Sequence, residues 1–492
     1  MKRLFAFCFV ALLSCNVMAQ IDLDKDFEEF KKNAEAQFSS FEDEQQKKFD
    51  EFRKKANEDF ARMLGEPWEK EEVKEAVPVP TIPEPVKPIE KKKDEPKPVK
   101  KEIKVQEIKE TPKEYVAPQP IVPIVKEENI KVELSSFEYY GTKCEFTWTD
   151  DMKFSLSAVN EKAVADAWVL LSSEKYDALL VDCLKLREEM GLCDWAYINM
   201  IEKMAKSVLG NAENEVIVLQ MYLLTQSGYK MKMGKANGHL VLLMPSDVTL
   251  YGYTYVTLED GAYYVLSNRS NEGSYEIFDS EFPNAQMPSM QMTRLPNFKE
   301  TFGEKKTFTS KRYPNVSVTV APNTNLMNFY TEYPHSEWNY YSQASLSPAI
   351  KRDLYPSLLS IIDGESQIEA ANILINFVQT AFEYKTDDEQ FGYERTLFGD
   401  ELFHYPYSDC EDRSVLYSIL VRELLGLDVV LLNYPGHLAT AVNFTEEVQG
   451  HYMTIDDKIY VVCDPTYIGA NVGDVMPQFG NVPAKIIRIS KK

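Results

Sequence analysis

After residue 20 the sequence contains no apolar run long enough to cross a bilayer, so no transmembrane helix is expected. Positive charge is also short: 54 Lys and Arg stand against 77 Asp and Glu, for a net charge of -23. A nucleic-acid partner would want a basic face, and this balance argues against one. Histidine is scarce, at 5 residues, and His404 and His451 have no cysteine or histidine at a recognisable ligand spacing. No glycine-rich phosphate loop or nucleotide fingerprint is present. No metal and no cofactor is therefore expected, and Asp387-Asp388-Glu389 reads as a solvated turn. Cysteine is sparse too. Of 7, Cys8 and Cys15 fall in the opening segment, leaving Cys144, Cys183, Cys193, Cys410 and Cys463. An odd number in an oxidising compartment leaves at least one free thiol.

What is present begins with a secretory pattern over residues 1–19. Lys2-Arg3 are the positive start, Leu4 to Leu13 the apolar stretch, and Val17-Met18-Ala19 a small-residue cleavage motif before Gln20. A rival lipobox-like cut, Leu12-Leu13-Ser14-Cys15, is disfavoured by Leu13. Export to the periplasm, cell envelope or exterior is expected.

Residues 20–66 carry an eleven-residue repeat. Phe27, Phe38, Phe49 and Phe60 recur at that step, as do Phe30, Phe41, Phe52 and Met63. Eleven residues make about three helical turns, so the stripe stays on one face of a straight or slightly right-handed coil. Gly65 and Pro67 stop the helix. Such a thin stripe either packs on the body of the protein or needs a partner, by self-association through residues 21–66 or by docking to a surface. Residues 67–131 are rich in Pro, Lys, Glu and Val and read as an extended, semi-rigid spacer.

The globular part divides into residues 132–285, a β-rich connection over 286–348, and residues 349–492. Both outer pieces place an apolar helix before a sheet. Gly228 to His239 and Gly426 to His437 are each a step of eleven, and each histidine follows a glycine. Tyr264-Val265-Leu266-Ser267-Asn268 resembles Tyr460-Val461-Val462-Cys463-Asp464. Read as a duplication, the first copy keeps His239 but sets Ala212 where the second has Cys410. A rival alignment of Cys193-Asp194 with Cys410 needs 46 residues to the histidine instead of 27 and is disfavoured.

The chemistry gathers in the second piece. Ser408 with Glu411 three residues on reads as a capping box, placing Cys410 in the first turn of a helix that runs to Gly426. Helix N-termini favour a thiolate, whereas Asp409, Glu411 and Asp412 oppose it. His437 would take the thiol proton and Asp464 would fix its tautomer. Alternation along the strand sets Asp464 with Val462 and turns Cys463 to the other face, as a core thiol.

These pieces resemble the transglutaminase-like superfamily over about residues 350–470: the helix-start Cys410, the helix to Gly426, His437, Asp464-Pro465-Thr466, and the upstream helix from Ala371 to Tyr384. The resemblance implies a papain-like α+β core, here duplicated, and acyl transfer through a thioester to water or an amine. It also implies an oxyanion donor before the cysteine, with Tyr405, Tyr407 and Gln390 as candidates beside the Cys410 amide. Leu438 stands where an aromatic often follows the histidine. Two functions are compatible with this reading: an exported thiol enzyme acting on protein or peptide amides, or a non-catalytic binding or scaffold protein of the envelope that keeps the fold.

Overall fold

The computed structural model describes residues 23–80, 86–92, 99–110, 114–123, 134–266 and 273–489, without the side chains of 23–30 and 33–43. The expected signal over 1–19 lies outside the described residues. Two compact units are present, Met1–Lys55 and Ala56–Lys492. Helix α1 (Leu23–Leu64) ends before Gly65, as its stop signals require. In the first unit Phe49 and Phe52 sit 6.5 Å apart and Phe52 is exposed; Phe27, Phe30, Phe38 and Phe41 have undescribed side chains. In the second unit Phe60 is core, wedged against Trp168 at 4.6 Å, Phe278 at 5.1 Å and Phe282 at 5.2 Å.

The second unit is α+β. After β1 (Glu69–Glu72), β2 (Lys101–Glu102) and β3 (Val105–Lys109) comes a hairpin, β4 (Leu134–Tyr139) and β5 (Thr142–Thr147). Helices α2 (Glu161–Leu171), α3 (Asp177–Glu189), α4 (Asp194–Leu209) and α5 (Glu213–Gln226) lead into β6 (Lys232–Ala236), β7 (His239–Ser246), β8 (Tyr255–Leu258), β9 (Gly261–Val265) and β10 (Ser274–Phe278). The connection holds β11 (Lys306–Thr309), β12 (Ser317–Val320), α6 (Thr324–Thr331) and α7 (Trp338–Gln343). Then follow α8 (Pro348–Ile362), α9 (Gln367–Ala381), β13 (Glu383–Tyr384), α10 (Asp387–Gln390), β14 (Tyr407–Ser408), α11 (Cys410–Leu420), β15 (Asp428–Tyr434), β16 (His437–Asn443), β17 (His451–Ile455), β18 (Lys458–Cys463) and β19 (Ala484–Arg488).

Two sheets organise these elements, ordered β1-β10-β6-β7-β9-β8 and β2-β17-β18-β16-β15-β19-β3. The five-strand run β10-β6-β7-β9-β8 repeats as β19-β15-β16-β18-β17, antiparallel throughout both times. His239 opens β7 opposite Ala236, and His437 opens β16 opposite Tyr434. The register pairs Leu243 with Val265 and Ala441 with Val462, so Val265 corresponds to Val462. The expected alignment of Tyr264 with Tyr460 is therefore off by one. The position matching Asp464 is residue 267, outside the described residues. Ala212 stands before the first residue of α5 as Asp409 stands before that of α11, so the position matching Cys410 is Glu213, one beyond the expected Ala212.

The described parts of residues 67–131 are not a free spacer. Only two residues separate β2 from β3, yet the two strands lie at opposite edges of the second sheet. Three Cα steps span at most about 11 Å, so that sheet must curl until its edges meet. Its interior holds Ile103, Leu432, Ala441, Met453, Val462 and Ile486. The first sheet closes the same way: β1 pairs with β10, and Lys74 just beyond it exchanges hydrogen bonds with Tyr255 of β8. The composition that suggested a spacer is what edge strands tolerate, since prolines and lysines are admitted where only one side is paired.

The 286–348 region is less β-rich than expected. Beside the β11–β12 pair it makes only isolated bridges, Gln286 with Tyr229 and Phe302 with Asn323, and Asn323 and Glu337 start helices. The side chain of Asn323 caps the Asn325 amide, and Phe329 and Tyr330 pack on Phe298 and Phe398. Among the described residues no helix is long and apolar enough to cross a membrane.

Candidate active site

Cys410 is the first residue of α11, but the cap differs from the expected one. Asp409 is the N-cap, and Asp412 reaches back to accept from the Asp409 amide at 3.2 Å. The Ser408 hydroxyl instead accepts from Arg413 Nε at 3.3 Å. The Asp409–Asp412 box forms in its place because Asp412 also accepts the Leu397 amide at 2.8 Å, and Glu411 turns toward the thiol.

Helix α11 is pinned to β16. Ser414 Oγ donates to Leu438 O at 3.0 Å, and the Leu438 amide points at Cys410 Sγ at 3.5 Å. This docks the thiol against the backbone next to His437. The imidazole stacks on Phe479 at 5.2 Å, nearly parallel, and Phe479 in turn stacks on Tyr434. His437 Nε2 lies 2.9 Å from Asp464 Oδ2. The other Asp464 oxygen accepts the Thr466 amide at 2.9 Å and the Tyr467 amide at 3.1 Å. A carboxylate surrounded by donors calls for N–H on Nε2, which leaves Nδ1 as the basic nitrogen. Nδ1 is buried and has no hydrogen-bond partner. Cys463 faces α11, where its thiol meets Tyr417, away from Asp464.

Several groups that sequence reasoning passed over hold this arrangement. Gln379 of α9 donates to Asp464 O, Tyr467 O and Ala470 O and accepts from the Gly469 amide, clamping the turn that carries Asp464. Arg413 is buried and binds Gln379 O at 3.3 Å and Phe382 O at 2.9 Å; burial lowers its pKa to about 10. Their signal was faint: long polar residues on otherwise apolar helix faces.

The oxyanion candidates are variously placed. Gln390 is engaged with the Tyr407 backbone, donating to Tyr407 O at 3.3 Å and accepting from Tyr407 N at 3.1 Å. The Tyr405 hydroxyl takes a hydrogen bond from Arg395 at 2.9 Å. Tyr407 lies under the Lys385 ammonium. Tyr384, expected to close the upstream helix, instead lies in β13 because α9 ends at Ala381; burial and then the Cys410 thiol push its hydroxyl well above the ordinary value.

The surroundings of the thiol are acidic and dry. Cys410 Sγ donates to Glu411 Oε2 at 3.2 Å, and burial, followed by Asp409, pushes the thiol well above its ordinary value. Asp387 is not part of a solvated turn: only its neighbours Asp388 and Glu389 are exposed, while its own carboxylate is buried and accepts the Arg395 amide at 2.6 Å. Burial, then Asp412, raises it to about 9. Asp409 is raised well above the usual carboxyl range by burial and then by Glu411, and Glu411 by burial and then by the Cys410 thiol. Oxygens of Asp387, Asp409 and Glu411 lie within 4.8 Å of one another. Ionised, they could hold a hard cation; protonated, they satisfy one another.

A cleft of about 280 Å³ opens beside the β15–β16 turn, lined by Trp338, Tyr434, Gly436, His437 and Lys485 among others. No family model, curated protein or solved structure matches this chain. The site geometry must carry the functional reading by itself.

Proposed function

We propose that the chain is an exported, transglutaminase-like thiol enzyme that acts on protein or peptide amides through a thioester. The observation carrying this reading is the buried His437–Asp464 pair at 2.9 Å, with the next amide along the strand, that of Leu438, directed at the helix-start thiol of Cys410. In the reaction, His437 Nδ1 takes the thiol proton and the sulfur attacks the amide carbonyl. Collapse breaks the C–N bond, the imidazolium returns its proton to the leaving amine, and an acyl thioester remains on Cys410. Water or an amine, deprotonated by the same imidazole, then frees the acyl group.

We read the two halves as copies of one papain-like core, the first without a nucleophile. The repeated five-strand order and the matched positions of His239 and His437 support this.

A second reading, a non-catalytic binding protein, is favoured by one observation: the thiol is fully buried, hydrogen-bonded to Glu411 and held protonated. The two are separated by incubating the protein with glutamine-containing and peptide-amide donors and examining the Cys410 peptide by mass spectrometry. An acyl mass that hydroxylamine removes, absent in Cys410→Ala and His437→Ala, is the expected result. No adduct with any donor, in a folded protein whose thiol has been shown to be alkylatable, overturns the enzyme reading.

A further inference from the structure

Between the two barrels that it closes, the Pro-rich segment crosses the site. The Val86 amide donates to Gly436 O at 3.0 Å, immediately before His437. The Tyr384 hydroxyl, on a ring that also carries the Arg413 guanidinium, donates to Val86 O at 3.4 Å. Further along, the Lys91 amide donates to Ile468 O at 2.9 Å and the Ile468 amide to Ile89 O at 3.0 Å, a parallel bridge just beyond Asp464. Val86 and Ile89 pack on the core of the second barrel. Lys91 Nζ reaches the buried carboxylate of Asp474 at 2.6 Å. Beside this strap Cys410 is 0% exposed and His437 1%.

We propose that this groove is a binding site for an extended polypeptide, and that Val86–Lys91 occupies it as an internal pseudosubstrate. The ligand is a peptide of the pattern apolar-x-x-apolar-x-basic. Backbone pairing with side-chain pockets is how grooves read extended peptides. The strap makes such pairings on both sides of the His437–Asp464 pair. Pro88 pre-sets the extended conformation and has no N–H to satisfy. Asp474 supplies the basic preference. The Tyr384 hydroxyl holds the Val86 carbonyl, the kind of hold an acyl-transfer site needs on its substrate. The strap must therefore leave before a substrate enters, which fits a thiol that is fully covered. Use of the groove for catalysis rests on the enzyme reading above; binding does not.

The test uses the full chain carrying Val86→Asp with Ile89→Asp, and Lys91→Ala as a milder variant. The probe is a fluorescein-labelled synthetic peptide with the sequence of Val86–Lys92. The loosened double variant should bind it at least about tenfold more tightly than wild type does, and Cys410 should react with iodoacetamide at least about tenfold faster. Unlabelled peptide, but not a scrambled one, should slow that reaction again, and Lys91→Ala should fall between. A folded double variant that alkylates at the wild-type rate, or whose faster alkylation ignores the peptide, overturns the proposal. If the double variant fails to fold, Lys91→Ala gives both readouts. Repeating the binding in a Cys410→Ser background separates the two ideas. Peptide bound there without any turnover in the parent supports the groove and counts against the chemistry; a thioester-forming Cys410 with no peptide binding does the reverse.

Discussion

Raising the pH should weaken the protein from inside its own site. Asp400, Asp412, Glu401 and Asp387 are raised to about 6, about 7, about 8 and about 9 respectively, in each case chiefly by burial. In an unfolded chain such carboxyls titrate near 4. The folded protein therefore keeps protons that the unfolded one releases. Their stabilising contribution is complete below about pH 4 and is lost as the pH climbs through the folded values. Each retained proton corresponds to about 1.4 kcal/mol per pH unit. Asp412 raises both Asp387 and Glu401, so the groups do not titrate independently, and we count only one net proton held between about pH 5 and about pH 8, which lowers stability by about 4 kcal/mol. Calorimetric melting at constant ionic strength, with chelator present, should show the midpoint falling most clearly above about pH 7, where the opposite contribution of His335, His404 and His451, each lowered by burial, is complete. Asp387→Asn keeps an oxygen for the Arg395 amide, removes one titrating member, and should flatten the slope while raising the midpoint at the alkaline end. A wild-type midpoint that rises with pH, or an unchanged slope in Asp387→Asn, refutes the reasoning.

Three further outcomes follow from the packing. Gln379→Leu leaves the buried carbonyls of Asp464, Tyr467 and Ala470 without their donor and should cost about 2–4 kcal/mol in urea unfolding. Phe60→Ala empties the space between Trp168, Phe278 and Phe282 and should cost about 3–5 kcal/mol, showing that the end of the N-terminal helix is core to the body. In the strap-loosened protein, His437→Ala should slow alkylation of Cys410 at neutral pH by about tenfold or more and leave the rate at high pH nearly unchanged. Equal loss at both pH values would indicate altered access and not altered proton transfer.

Much of the frame was legible. The apolar helix before each sheet was marked by its sequence, and the upstream helix expected to reach Tyr384 ends three residues earlier, at Ala381. Cys410, His437 and Asp464 were legible as an ordered set because each stood at a recognisable element boundary, although the cap shifted from Ser408 to Asp409. What was not legible depends on partners distant in sequence. Lys101 and Val105 carry no mark saying that residues near 451 and 484 will pair with them. Asp387 looked like a surface turn because nothing local shows that Arg395 and Asp412 will enclose it. The connection over 286–348 was expected to be β-rich, whereas near residue 330 the packing of Phe329 and Tyr330 goes with a helix.

The closing strands also set a timetable for synthesis. Glu102 and its contact Thr454 are 352 positions apart. At ordinary elongation rates the first waits about 20–70 s for the second to be made. During that interval the segment has backbone ready to pair and nothing native to pair with. Prolines oppose adventitious ladders and like charges oppose association, so the composition that resembles a passive tether also suits a segment that waits unpaired. The last strands synthesised, β17 to β19, are those that capture it.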